Sequence, residues 1–496
     1  MIFRRLRKFL KPRLKRYPIA FRMYEVISWT FTRSHVALEV KRFFPRMGNI
    51  VFPMWLGPRY KLARRYAVEG ELDKAMRIAD DVLARKPDLC ESRLYWIGSI
   101  LWLQGRYEDA HCLFKSMEER RFQVARELQH DRLGLRFFPI GHFTPIGHLG
   151  MLDKYIKAEI LGMIPRRTNV ILGALKDFSN PAYIRCWEKY FSWIMDPRTI
   201  SLLAPLSYSL QEDLIMVRLG ERTRSFVAFG AEVQSRWEAG GRGPLLEQSA
   251  EHRERGYGLL RELGVPEGSW FVGLHVREGK DRMRDVRSSD IITYRLAIEE
   301  IAKRGGWILR MGDRNMRPLP SYPNTIDYAQ STKREDWMDV FLWAEGRFLI
   351  GTGSGPQMIP TTFGKPVAIA NYGPIATIVC GKDDILLPKH YWHEKEGRYL
   401  TLAERMSPDY GFLESIGALA SMGIRVVDNT PEELRELVAE MMDRVEGRHV
   451  DTEQERAMHA RFAELAASHE AYPAKMARAF MSRYPDLFHA SAAQGP

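Results

Sequence analysis

Two polar residues separated by one apolar residue, His275-Val276-Arg277, close an otherwise apolar run, Trp270-Phe271-Val272-Gly273-Leu274. An arginine there offers a planar fork of N–H donors suited to carboxylate or phosphate oxygens, and a histidine can donate, accept or carry a proton. A second run, Trp307-Ile308-Leu309, ends in Arg310-Met311-Gly312. A third, Arg347-Phe348-Leu349-Ile350, leads into Gly351-Thr352-Gly353-Ser354-Gly355-Pro356-Gln357-Met358-Ile359-Pro360. Glycines in such a loop let backbone N–H groups converge on an anion, and Thr352 and Ser354 add hydroxyl donors. The loop is not a Walker loop, because Lys-Ser/Thr is missing, and it is not G-x-G-x-x-G. Alone it would be a tight turn by default; beside two runs that end in arginine it points to a phosphate-bearing ligand. The candidate contacts are His275, Arg277, Arg310, Gly312, Thr352, Gly353, Ser354, Gly355 and Gln357.

Proton-accepting candidates are His148, Glu278, Asp281 and Asp290, with His148 and Asp290 as the expected catalytic pair. Each has a structural reading beside the chemical one. His148 stands in the loop Ile146-Gly147-His148-Leu149-Gly150, where satisfied histidines are common, and Ser289-Asp290 before an apolar-periodic run suits a helix N-cap. No metal site is indicated: D-x-D is absent, and Cys90, Cys112, Cys186 and Cys380 lie far apart without a C-x-x-C pair.

The elements that carry these residues alternate. Helix-like patterns over Tyr294 to Arg304 and Asp336 to Ala344 separate the three runs, and Pro366-Val367-Ala368-Ile369-Ala370 adds a fourth. Strands alternating with such helices imply a parallel doubly wound sheet with its ligands at the carboxyl ends of the strands. Upstream, Leu133 to Pro139, a helix-like stretch over Leu149 to Leu161, and Val170-Ile171-Leu172-Gly173 read as the start of another β-α-β unit. Thr430-Pro431-Glu432-Glu433 opens a capped helix.

A chain of 496 residues exceeds a single core. Gly70-Glu71-Leu72-Asp73-Lys74-Ala75 is echoed by Gly105-Arg106-Tyr107-Glu108-Asp109-Ala110, a period close to the roughly 34 residues of tetratricopeptide repeats. In the second copy Gly98, Ala110 and Phe114 fall near tetratricopeptide positions, where small residues let paired helices approach. An ordinary helical bundle is the competing reading. The division that follows is a basic arm and helical segment over 1–50, repeats over 51–130, α/β domains over 131–265 and 266–446, and terminal helices over 447–496.

The six elements in order, His275-Val276-Arg277, Arg287-x-Ser289-Asp290-Ile291-x-x-Tyr294-x-x-Ala297-Ile298-Glu299-Glu300, Arg310-Met311-Gly312, Ile326-Asp327-Tyr328-Ala329, Asp339-Val340-Phe341-Leu342 and the Gly351 loop, resemble a family of bacterial glycosyltransferases. That family is distantly similar to the fucosyltransferase-like GT-B enzymes, and the match covers about Leu135 to Tyr372. The resemblance implies a GT-B-like pair of Rossmann-like domains behind the tetratricopeptide-like module, with Arg277 gripping the donor diphosphate and Thr352 to Gly355 holding the nucleotide. It also implies transfer from a nucleotide-diphosphate sugar, a substrate rather than a cofactor, to an envelope glycan or glycolipid acceptor, without metal. Glu278-Gly279-Lys280-Asp281 stands where the best-known fucosyltransferases carry a second arginine, so the donor's identity stays open. The competing function is a non-catalytic nucleotide-sensing scaffold whose repeats bind a protein partner; a dehydrogenase is disfavoured because G-x-G-x-x-G is missing.

The formal charge of +12 is concentrated. Eight cations and no acid lie between Met1 and Arg16, interleaved with Ile2, Phe3, Leu6, Phe9 and Leu10. The body of the chain is close to neutral, which argues against a nucleic-acid partner. The arm reads either as a frayed terminus or as an interfacial segment for an anionic membrane surface, the latter placing a cytoplasmic enzyme at the inner membrane.

Overall fold

The computed structural model describes residues 106–139, 145–173, 178–212, 216–219, 222–278, 285–377 and 381–489, with isolated positions at 62, 66, 74, 77, 78, 98 and 101. The basic arm, most of the repeat region and Asp281 lie outside the described residues. Two compact units result: Met1–Trp102 with Arg106–Phe114, and Leu103–Gly105 with Lys115–Pro496. In the first, Gly98 meets the ring of Phe114 so closely that a Cβ would lie 2.4 Å from Cζ. Ala110 and Phe114 are fully buried there.

The second unit is mixed α/β; after the end of the helix Tyr107–Glu127 comes a three-stranded parallel sheet, β1 (Leu135–Pro139), β2 (Thr168–Leu172) and β3 (Ser192–Ile194) in that order. Two helices lead from β1 to β2: α1 (Ile146–Leu149), a single turn, and α2 (Leu152–Ile160). A hairpin, β4 (Met216–Leu219) with β5 (Arg222–Ser225), precedes α3 (Phe226–Ala239), whose Ser225 hydroxyl accepts the Ala228 N–H. Phe138, Tyr155 and Phe229 stack edgewise or tilted between the sheet and these helices. Then α4 (Ala250–Glu262) leads to the larger sheet.

Seven parallel strands form that sheet: β6 (Phe271–His275), β7 (Trp307–Arg310), β8 (Thr325–Ile326), β9 (Leu349–Thr352), β10 (Val367–Tyr372), β11 (Ile385–Pro388) and, after a small antiparallel sheet, β15 (Lys475–Met476). All five residues of β6 and all six of β10 are buried, so these strands read as apolar runs without the polar alternation of a half-exposed sheet. One covering helix is α5 (Arg295–Lys303), which buries Ala297, Ile298 and Ile301. Another is α6 (Asp336–Glu345), whose Phe341 stacks on Phe271. The later helix α7 (Pro431–Val445) starts with the capping box Thr430/Glu433 and Pro431 at its first turn, as its sequence dictates.

Strand order decides where a ligand can sit. The sheet runs β15-β11-β10-β9-β6-β7-β8. From β6 the chain moves outward through β7 and β8, then returns to place β9 on the other side of β6. The topological switch point therefore lies between β6 and β9, where connections diverge and leave a crevice at the carboxyl ends. The antiparallel sheet, β12 (His390–His393), β13 (Arg398–Tyr399) and β14 (Ile424–Val427) in the order β13-β12-β14, and the β4–β5 hairpin are absent from the sequence reading because their strands are short. Among the described residues no helix is long and apolar enough to cross a membrane.

Candidate functional site

At the switch point His275 faces Gly351 in the β6–β9 register. A Cβ on Gly351 would lie 2.1 Å from the His275 carbonyl oxygen, so glycine is required for the strands to meet. The imidazole is buried with its Nδ1 3.0 Å from the Ser354 hydroxyl. Burial, followed by the charges of Arg310 and Arg277, pushes its pKa down to about 4. His275 is thus neutral at physiological pH, with Ser354 as its hydrogen-bond partner.

The Arg277 backbone is held from both sides. Its N–H donates to the Thr352 hydroxyl at 3.0 Å, and its carbonyl accepts the Ser289 N–H at 3.0 Å. Thr352 is fully buried, and its hydroxyl links the end of β9 to the chain just past β6. The Arg277 guanidinium is 36% exposed and meets Asp285 at 2.6 Å. Asp285 also accepts from Arg287, whose Nη2 lies 2.9 Å from Glu414. Burial would raise the Asp285 pKa, but hydrogen bonds and charge from Arg287, with the charge of Arg277, outweigh it and keep the carboxylate ionised.

Arg310 is more enclosed than Arg277. It is fully buried, with Nη1 2.9 Å from Asp327 and Nη2 3.0 Å from the Arg317 carbonyl and 3.5 Å from Glu278. The guanidinium thus pairs with two acids, while its Nε is buried without a partner. Arg317 continues the chain to Glu278 at 3.2 Å and to Asp290. Asp290 caps the turn Ile291–Tyr294 by accepting the Ile292 N–H at 3.0 Å. The N-cap reading therefore describes its surroundings, and as a base it would first have to give up Arg317. Gly312 has φ of 145°, and a Cβ there would meet Met316 Sδ at 2.4 Å, so it is a turn residue.

The glycine loop is packed on its flanks. A Cβ on Gly353 would lie 2.9 Å from the Tyr372 ring. Gly355 lies against Gly147 of α1, which carries His148 to the same junction. Gln357 donates its N–H to the Ser354 carbonyl at 3.1 Å, while its Oε1 is buried without a partner.

Several residues here escaped the sequence reading. Asn371, at the end of β10 with φ of 51°, exchanges reciprocal hydrogen bonds with Asn429 at 2.6 and 2.7 Å and donates to Ser289 at 3.0 Å. Lys389 donates to the Ser288 carbonyl at 2.7 Å and pairs with Asp428 at 2.5 Å. These contacts lock the segment carrying Asp285 and Arg287 against the sheet ends. Arg287 belongs to the motif quoted above, and its spacing alone gave no sign that it returns to Arg277. A trio with metal-ligand spacing, His449, Asp451 and Glu455, lies elsewhere, and its acids already pair with Arg444 and Arg478.

The fold and site thus define an α/β protein built on a large parallel sheet, with guanidinium groups at its switch point. No family model and no curated protein matches the sequence. Solved structures with partial overlap include a glycosyl transferase family 9 protein from Veillonella parvula, at 11% identity and TM-score 0.30, covering 47% of this chain and 79% of that one. Others are the Escherichia coli ADP-heptose LPS heptosyltransferase II, at 11% and 0.34, covering 63% and 99%, and the iron-containing heptosyltransferase TibC, at 11% and 0.35, covering 63% and 76%. Similarity at this level leaves function to be argued from the site's own residues.

Proposed function

We propose that the chain is a glycosyltransferase that moves a sugar from a nucleotide-diphosphate donor to a glycan or glycolipid hydroxyl. The observation that carries this reading is the position of Arg277: a partly exposed guanidinium on a doubly pinned backbone, at the switch point of a parallel sheet and beside a glycine loop. Transfer breaks the bond between the sugar's anomeric carbon and the diphosphate oxygen, forms one to the acceptor oxygen, and releases the acceptor proton. Negative charge grows on the leaving diphosphate. A fixed guanidinium and converging backbone dipoles stabilise that charge more in the transition state than in the ground state, which lowers the barrier without requiring a metal. In this reading His148, brought to the glycine loop by the Gly147–Gly355 contact, is the proton acceptor. His275 is unsuited to that role because it is buried and its proton affinity is low.

Thermal-shift screening against nucleoside-diphosphate sugars tests the reading. A true donor at about 100 times its Kd adds roughly 2.7 kcal/mol of stability. Stabilisation by NAD(P) alone would overturn it, and stabilisation by donors with no transfer to any acceptor would favour a sensing scaffold. The basic arm is read as the membrane-facing segment. Deleting Met1 to Arg16 should then weaken salt-sensitive binding to anionic vesicles, and unchanged binding removes that part of the reading.

A further inference from the structure

We propose that Arg287 is a second donor-binding guanidinium and that the Asp285 carboxylate occupies, in the unliganded protein, the place that the donor diphosphate takes on binding. This rests on the reading of the switch point as a nucleotide-diphosphate site. One carboxylate bridges two arginines. Asp285 Oδ2 lies 2.6 Å from Arg277 Nη2 and 2.9 Å from Arg287 Nη2, while its Oδ1 accepts Arg287 Nε at 3.0 Å and the Arg287 N–H at 2.9 Å. The two forks therefore converge on a spot the width of one small oxyanion, the arrangement that adjacent phosphoryl groups require.

Three further features separate this cluster from a fold-holding ion pair such as that of Arg310. First, it is open to solvent: Arg277, Arg287 and Asp285 are 36%, 30% and 21% exposed, whereas the Arg310 side chain is at 0%. Second, the Arg277 backbone is fixed independently of the carboxylate, by Thr352 and Ser289, and the Ser289–Asn371 bond anchors the chain beyond Arg287, whose own N–H does bond Asp285. The arginines can thus change partner without the strands moving. Third, Glu414 stays on Arg287 at 2.9 Å and balances one of the two cations. With Asp285 in place the formal charges of the cluster cancel, which weakens its pull on an anion; when Asp285 swings out, they leave a net positive charge. The carboxylate holds both guanidinium groups toward one spot, and it competes with the ligand.

The sign of the Asp285→Asn effect is diagnostic. A structural bridge would loosen when neutralised and bind anions more weakly, whereas a competitor's removal strengthens binding. The experiment titrates the full-length protein with inorganic pyrophosphate and with UDP, GDP and ADP by calorimetry, comparing wild type with Asp285→Asn, Asp285→Ser and Arg287→Met. The expected result is affinity about tenfold tighter for both aspartate variants and at least about tenfold weaker for Arg287→Met, about 1.4 kcal/mol each way. Weaker or unchanged binding by folded aspartate variants overturns the stand-in role. Wild-type affinity in Arg287→Met overturns the second guanidinium, and this arm decides the matter even if the aspartate variants fail to fold. Should wild type bind neither pyrophosphate nor any nucleoside diphosphate, the underlying site reading fails instead.

Discussion

Gly147 and Gly355 touch backbone to backbone: a Cβ on Gly147 would lie 2.6 Å from the Gly355 Cα, and a Cβ on Gly355 would lie 2.4 Å from the Gly147 nitrogen. The contact joins the single turn α1, with His148, to the glycine loop that follows β9. The nearest atoms on both sides are backbone, with Ile146 Cγ2 next at 3.0 Å from a Cβ on Gly355, so rotating a side chain cannot relieve the closest approach. Gly355→Ala and Gly147→Ala should each destabilise by about 1–3 kcal/mol, as overpacking does. Their effects should be far from additive, since either methyl already separates the segments. Urea unfolding of both single variants and the double variant checks this; full additivity would mean the two glycines act independently.

Arg277→Ala should lower transfer at least about 100-fold, roughly 2.7 kcal/mol, while the protein stays folded. Arg277→Lys should recover little, because an ammonium cannot make the two-pronged contact. An alanine variant with near wild-type turnover would remove Arg277 from the donor site.

Arg310→Met should act mainly on stability. It leaves Asp327 and Glu278 without their buried cation, and breaking such a pair costs about 3–5 kcal/mol. If the unfolding midpoint hardly moves while donor affinity collapses, Arg310 is a donor ligand after all.

His275 makes a pH prediction. Its folded pKa, about 4, lies below the ordinary 6.5, so the unfolded chain takes up the proton first and this residue's share of stability is lost as pH falls from about 6.5 to about 4. His275→Asn, whose amide can still meet Ser354, should lose less stability between pH 7 and pH 5 than wild type. Equal losses in paired urea titrations would show that another group carries that part of the acid response.

Sequence by itself determined the main strands and helices around the site and the order in which they come. Apolar runs bounded by glycine and proline gave β6, β7, β9 and β10, helical periodicity gave α5 and α6, and Thr430-Pro431-x-Glu433 gave the start of α7, because each signal depends on neighbours a few residues apart. It also placed His275, Arg277 and the glycine loop at strand ends. Only the tertiary structure decided that β9 returns beside β6, since a β-α-β chain permits many strand orders. Arg277 and Arg310 look alike in sequence, each a cation at the end of an apolar run. What separates them is how the folded chain encloses each one: the Arg277 side chain stays 36% exposed beside Asp285, whereas that of Arg310 is shut off from solvent between Asp327 and Glu278. Asn371 and Asn429 stand 58 residues apart, and their reciprocal bonds show why such a site is illegible locally. A charge's surroundings are set by chain segments that meet only after folding, and those surroundings decide whether it holds the fold or faces a ligand.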